Sequence, residues 1–548
     1  MPRAWHDWLK RRQKDSLKRA ASALLGVEQL ERRDVPSAVY WTGDAGTTNW
    51  GDAGNWSTVD PLISNVRSAI LPGPSDNVII DLAGVTVDHS AASQDVIGSL
   101  QVTGAHVTLN LSAGTLDLSG AGGSGTFQVD QTGDAVNLMS VLKDATVTSG
   151  TTIVAPGTGG ILDGVTLDGS LYILWGGTAT IKNGLVLNGT IDVGASGPPG
   201  TIVATPFIGL LPDFEIAPGG WVPPSSYLTF DDSNGPQTLS TTGQGQIDFS
   251  GDSGSNSLDV TGSTLTIAAG VTINGSSGVS SIIGPINNFG SIDEDNGGTI
   301  SINFGQGSGS PVGWTNNGAI EVSYGKLELG GAWTNNGTVT ASSKTSLYLG
   351  DSGVTGAAQP NPTSDAWVNN GTIDTTGTLV HLGGFLTQGP TNFDPAALGL
   401  GADTVYLTGT LENSSQTLTL TPGVTSATGT LIVSSGQIDG GTVDATAAPL
   451  HVSGGSLDGV TIDGTLDVLG ATATIRGGLV LNGVIELGDA NAFSPVLIFD
   501  DTDGPQTLST TSHGSIDFTD SGSLNVSGDT LTIAAGITIQ DDSPNSEP

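Results

Sequence analysis

The sequence predicts an all-β fold: a single-stranded parallel β-helix of right-handed type, preceded by a short N-terminal helix. Three observations predict it. A nine-residue unit (apolar, any, apolar, Asp or Asn, Gly, any, apolar, any, apolar) returns throughout the chain. Glycine makes up 83 of 548 residues, while charged residues are only 12%. Apolar residues, 36% of the total, fall in short alternating runs. Alternation marks strands with one buried side, and a fixed short period marks stacked rungs.

Residues 1–36 differ from everything after them. Trp5, Trp8, Leu9, Leu17, Leu24 and Leu25 are spaced among Lys10, Arg11, Arg12, Lys14, Lys18 and Arg19. That is the pattern of a basic amphipathic helix, suited to an acidic membrane surface or to an export machine. Nine of the 15 Lys and Arg lie between Arg3 and Arg33. The apolar run Ala20 to Val27 is short for an ordinary signal peptide. Next comes Glu28-Gln29-Leu30-Glu31-Arg32-Arg33-Asp34-Val35-Pro36-Ser37. It resembles the Leu-Glu-x-Arg-x-x-Pro-Ser type of leader motif found near the N-terminus of many large exported proteins of planctomycete bacteria. The resemblance implies export to the cell surface or beyond it.

Trp41-Thr42-Gly43, Asn49-Trp50, Asn55-Trp56-Ser57 and then Asp76-Asn77-Val78-Ile79-Ile80 follow. This stretch is similar to the segment opening many autotransporter-like β-strand repeat proteins, which implies adhesin-like rungs beyond it. In physical terms the tryptophans are placed to plug the open end of a solenoid, whose first rung otherwise exposes its apolar interior.

The rungs occupy 37–540. Val165-Thr166-Leu167-Asp168-Gly169-Ser170-Leu171-Tyr172-Ile173 shows the unit whole, and variants start at Leu185, Trp314, Val460 and Val480. Gly169 to Gly189 spans 20 positions, and Gly318 to Gly337 and Gly464 to Gly483 span 19 each. That period is too short for a propeller blade and suits one turn of a β-helix. Two short strands flank each Asp-Gly or Asn-Gly corner, where glycine is expected to take the positive φ that branched residues resist. Val165, Leu167, Leu171 and Ile173 then point inward, and Thr166 and Ser170 outward. Like stacks on like, so Asn316, Asn335 and Asn369 are expected to form an amide ladder. A hairpin meander, the rival, needs longer strands than these runs of about four residues. Stacking about 25 rungs at the ~4.8 Å strand spacing makes a rod of roughly 120 Å.

A larger repeat overlies the rungs, with blocks at about 160–275 and 455–540. Leu162 to Gly194 returns as Leu457 to Gly488, and Phe230-Asp231-Asp232 with Gly235 to Thr242 returns as Phe499-Asp500-Asp501 with Gly504 to Thr511. The first block holds an insertion at 195–221. Insertions leave a solenoid as surface loops, where contact sites arise. Phe207, Leu210, Leu211, Phe214 and Trp221 are therefore the candidate binding residues, directed at a cell-surface or matrix glycan or protein. Residues 541–548 read as a disordered tail.

The net charge of −38 repels phosphate backbones and argues against nucleic acid as a partner. The chain has no cysteine, so disulfides and thiolate metal sites are excluded. No apolar run reaches the length of a membrane helix. Asp231, Asp232, Asp500, Asp501 and Asp503 crowd two acidic turns with the oxygen-rich content of a calcium loop, but without the acidic twelfth residue of an EF-hand. They are candidate ligands for weakly held calcium, the one cofactor the residues suggest. The six histidines never approach metal-ligand spacing.

No catalytic residue is assigned. Gly251-Asp252-Ser253-Gly254 looks like a protease nucleophile turn, yet it returns at 350–353 and in part at 520–522, which marks scaffolding. Gly120-x-Gly122-x-x-Gly125 fits a dinucleotide fingerprint, but Thr126 to Val129 reads as a strand where a helix is required. The architecture is also similar to that of pectate lyases and polygalacturonases, which leaves a polysaccharide-active enzyme as the alternative. A shared fold is a weak guide to activity, and only Arg67, Lys143, Lys182, Lys326, Lys344 and Arg476 carry positive charge beyond the leader. A carbohydrate-binding array, a third class, needs exposed aromatic platforms, for which Trp314, Trp333 and Trp367 are the candidates. The expectation is a secreted or cell-surface structural protein, adhesin-like and non-catalytic.

Overall fold

The computed structural model describes residues 37–541 apart from 131–132, 199–223, 252–254, 305–312, 351–365, 376, 388–403, 421–430, 471, 489–493, 503 and 519–521. The leader helix expected over 1–36 lies outside the described residues, as do Phe207, Leu210, Leu211, Phe214, Trp221 and Asp503. The described chain is all-β, interrupted only by two single-turn 3-10 helices at Ala53–Asn55 and Ser119–Ala121.

Strands pair in parallel with the strands one turn further along, which is the connectivity of a β-solenoid. The rung at 160–173 shows its three faces. Residues 160–163 lie on face 1 and pair with 179–182, residues 165–167 lie on face 2 and pair with 185–187, and residues 170–173 lie on face 3 and pair with 190–193. Face 3 runs as one twelve-stranded sheet from Thr86–His89 to Thr372–Thr375. The nine-residue unit covers only faces 2 and 3. The strand on face 1 precedes it, set off by a one-residue register shift at Gly164.

Alternation fills the interior with columns of like residues. On face 3 Leu171, Ile191, Ile247, Ile273, Ile292 and Ile320 succeed one another in register, each at most 1% exposed. Branched side chains suit this pleated stack, and each contributes about 1.5–3 kcal/mol on burial.

Most of the corner glycines serve a purpose other than the positive φ expected of them, which among those named only Gly464 takes, at 111°. Gly169, Gly189, Gly318 and Gly337 are not in the left-handed region. A Cβ on Gly189 would sit 1.9 Å from the carbonyl oxygen of Gly169, and one on Gly337 would sit 2.0 Å from that of Gly318. Successive backbones therefore stack too closely at this corner for any side chain. Positive φ falls instead at the corner between faces 1 and 2, at Gly164 and Gly184.

The first rung is closed by the tryptophans. Trp41 and Trp56 meet edge to face at 4.9 Å, Trp50 and Trp56 at 4.7 Å, and all three are at most 2% exposed. The indole N–H of Trp56 donates to the Trp50 carbonyl at 2.7 Å. Here lies the one antiparallel ladder among the described strands, Tyr40 with Ser57 and Trp41 with Trp56.

Further along, stacking produces side-chain ladders. Asn288 Nδ2 donates to Asn316 Oδ1, Asn316 to Asn335 and Asn335 to Asn369, at 2.9, 2.8 and 2.8 Å, all inside the body. A second ladder runs beside it on the outside with donors reversed. Asn370 donates to Asn336, Asn336 to Asn317 and Asn317 to Asn287. Trp314, Trp333 and Trp367 stack in the interior with centroids 5.5 and 5.1 Å apart. On the outer side of face 1, Tyr348, His381 and Tyr406 stack at 4.1 and 5.2 Å.

The duplicated blocks do not share faces. Leu171 lies on face 3, whereas its counterpart Leu466 pairs with Leu450 in the column that continues face 1. The second block is thus displaced one face around the axis.

Candidate functional site at two duplicated corners

Each block carries one wide turn between strands. In the first, strand Tyr227–Asp232 leads through a turn, closed by the Gly235 N–H on the Asp232 carbonyl at 3.0 Å, into Gln237–Ser240. In the second, Val496–Asp500 leads past Gly504, whose N–H meets the Asp501 carbonyl at 3.1 Å, into Gln506–Ser509.

A glutamine ties each turn to the rung below. Gln237 Nε2 donates to the Asp231 carbonyl at 2.6 Å, while its Oε1 accepts the Gly184 N–H at 2.8 Å. Gln506 repeats both bonds, to Asp500 at 2.5 Å and from Gly478 at 3.1 Å. The far ends are pinned in the same way. Asn188 Oδ1 accepts from Thr241 Oγ1 and the Thr242 N–H, and Asn482 Oδ1 from Thr510 Oγ1 and the Thr511 N–H. The wide turns overhang narrower corners at Gly164 and Gly184, and at Gly459 and Gly478, leaving two open polar grooves of about 750 and 600 Å³.

The acidic candidates divide into two kinds. Asp231 and Asp500 face outward and pair with Lys182 at 3.3 Å and Arg476 at 3.2 Å. Hydrogen bonds from Ser233, with Lys182 beside it, hold the Asp231 carboxyl below its usual range; Thr502 and Arg476 do the same for Asp500. Asp232 and Asp501 face inward and are each 1% exposed. The Gln237 N–H reaches Asp232 Oδ2 at 3.4 Å, but Asp232 Oδ1 and both Asp501 oxygens have no hydrogen-bond partner among the described residues. Burial pushes both carboxyls up, with Asp529 and Asp500 adding to the effect at Asp501. Among the described residues no three His, Asp or Glu side chains are arranged to hold a metal ion.

Other sequence candidates resolve locally. Trp314, Trp333 and Trp367 are at most 2% exposed, so they are rung residues and offer no platform. The strand Gly125–Val129 follows the Gly120 fingerprint directly. The turns at 252–254, 351–353 and 520–521 lie outside the described residues. Sequence reasoning missed the glutamine ties and the Lys143–Asp117 ion pair, at 2.7 Å with Asp117 2% exposed. The recurring Gly-Pro-Gln signals the first; residues 26 positions apart give no signal for the second.

No protein-family profile matches the chain, and no curated protein matches it either. No helix among the described residues is long and apolar enough to cross a membrane.

Proposed function

We propose that the protein is an exported, non-catalytic scaffold of the cell surface or extracellular space, built as a right-handed β-solenoid and adhesin-like in its rungs. The observation that carries the reading is the interior of the described residues, one apolar cluster from Val39 to Ile516. Apolar columns, the asparagine ladder and the tryptophan stack pass from rung to rung, so the body resists bending and holds its two ends apart. Repeat bodies of this kind present long surfaces. The basic segment 1–36 is the proposed sorting helix, in keeping with the planctomycete-type motif at Leu30 to Ser37, and the acidic body keeps such a rod dispersed.

Location is the test. Intact cells are treated with protease, fractionated and probed for the solenoid. Digestion or recovery in the surface and medium fractions is expected; a chain fully protected until lysis sinks the proposal.

A further inference from the structure

We propose that the basic leader folds back as an amphipathic helix and seats its apolar side on the loop 58–76, at the tryptophan-plugged end of the solenoid. The proposal concerns contacts within the chain and holds whether or not the body is exported.

Residues 58–76 join strand Trp56–Ser57 to strand Asn77–Ile80 without a strand or helix of their own. Connections that long are uncommon in compact bodies and mostly functional. This one is held in shape by its own hydrogen bonds. The Ile63 and Ser64 N–H groups both donate to the Asp60 carbonyl at 3.2 Å, and the Leu62 N–H donates to Asp60 Oδ1 at 2.7 Å. The Ser68 N–H reaches Ser57 Oγ at 3.2 Å, and the Thr58 N–H reaches Ser68 Oγ at 2.9 Å. Yet the loop turns five large apolar side chains to solvent: Leu62, Ile63, Val66, Ile70 and Leu71 are 66, 82, 68, 42 and 46% exposed. The other well-exposed large apolar side chains of the described body are scattered singly or lie on its last strands. Apolar exposure concentrated in this way marks an interaction surface.

The rim of the loop is acidic. Asp44 pairs with Arg67, and Asp60 lies close enough to Asp81 for its charge to add to burial in raising the Asp81 carboxyl. Arg67 is the one Lys or Arg between residues 38 and 142, so Asp44, Asp60, Asp76 and Asp81 leave the rim negative.

The occupant follows from where the leader joins the body. Asp76 accepts from Ser37 Oγ with one carboxylate oxygen and from the Gly73 N–H, at 2.7 Å, with the other. Residues 1–36 therefore meet the solenoid against the far end of this loop. On a helix, the spacing of Trp5, Trp8, Leu9, Leu17 and Leu24 places them on one side and Lys10, Lys14 and Lys18 on the other. That pattern complements an apolar loop with an acidic rim. Residues 27–36, extended, reach about 33 Å, which lets such a helix turn back. A second copy brings an identical acidic rim, and an anionic bilayer brings like charge, so both are repelled where the leader is attracted.

Amide hydrogen exchange of the full chain tests the proposal. Residues 4–25 are expected to exchange about tenfold faster in Ile63→Ser with Val66→Ser than in the parent. Exchange across the rungs from 160 to 300 is expected to stay unchanged, since both side chains stand outside the core. Where the loop variant disturbs those rungs as well, Trp5→Ser with Leu9→Ser decides. It leaves the sequence of the body intact and is expected to speed exchange at 62–71 about tenfold in return. Leader exchange that the loop substitutions leave untouched, or loop exchange that the leader substitutions leave untouched, overturns the proposal. Protection that vanishes on dilution assigns the loop to a second copy. A leader unprotected in solution but protected on phosphatidylglycerol vesicles assigns it to a bilayer, and either result overturns the proposal too.

Discussion

Ile267 and Ile533 occupy the same position in two copies of one rung, yet Ile267 is fully buried and Ile533 is 45% exposed. The same holds for Val260 against Val526, at 6% and 46%, and for Ile273 against Ile539, at 0% and 47%. The first copy is covered by the strands Val279–Ile283, Ile286–Asn288 and Ser291–Glu294, whereas no described strand covers the second. A closely similar rung is therefore core in one copy and half surface in the other, according to its neighbour. Stability in this molecule belongs to the contact between rungs more than to the rung itself.

The largest effect separates those two positions directly. Ile267→Ala is expected to destabilise by about 2–5 kcal/mol, as buried truncations do, and Ile533→Ala by about 1 kcal/mol or less. Denaturant midpoints of the two variants check it, and equal shifts would break the comparison. The asparagine ladders repeat the contrast across one corner. Asn335→Ala removes one ladder bond each from the buried amides of Asn316 and Asn369 and is expected to cost about 1–3 kcal/mol. Asn336→Ala, on the exposed ladder, is expected to cost under about 1 kcal/mol. A similar loss from both would show that burial is irrelevant to the ladder.

Titration sharpens the contrast between covered groups with and without a partner. Burial alone would raise the Asp117 carboxyl, but hydrogen bonds from Lys143 and Ser119 bring it from 3.8 down to about 2. A lowered carboxylate gives stability that is complete above its unfolded value and lost as pH falls through the folded one. Asp117→Asn should therefore be less stable than the parent at neutral pH, with the difference closing between pH 3.8 and about 2. Asp501, covered but unpartnered, has its carboxyl raised. A raised carboxylate loses stability as pH rises past its unfolded value, so Asp501→Asn should raise the thermal midpoint slightly at pH 7 and leave it unchanged well below pH 3.8. Thermal scans across pH follow both, and a destabilised Asp501→Asn would mean that its charge is used.

The rung period, the tryptophan plug and the ladder at Asn316, Asn335 and Asn369 were legible because each is a local pattern repeated at near-constant spacing. The third face was hidden by its junction. A one-residue bulge at Gly164 lets two strands read as one run, so the eye finds a single corner per turn. The glycine column was legible as glycine, but its cause was not, since a clash with the preceding rung has no signature within one rung. Tyr348, His381 and Tyr406 stack although unequal intervals separate them in sequence, which no fixed period reveals. At the corners, the duplicated Asp-Asp turns were visible, but the inward and outward fates of neighbouring aspartates depend on where the strand ends.

The opposed donor directions of the two asparagine ladders carry an electrical consequence. Aligned amides add their moments, as peptide units do along an α-helix, and a single ladder would build up polarity with every turn gained. Here each inner amide points towards the C-terminal end and each outer one towards the N-terminal end. The two sums oppose one another, and lengthening the ladders brings little accumulating field along the axis.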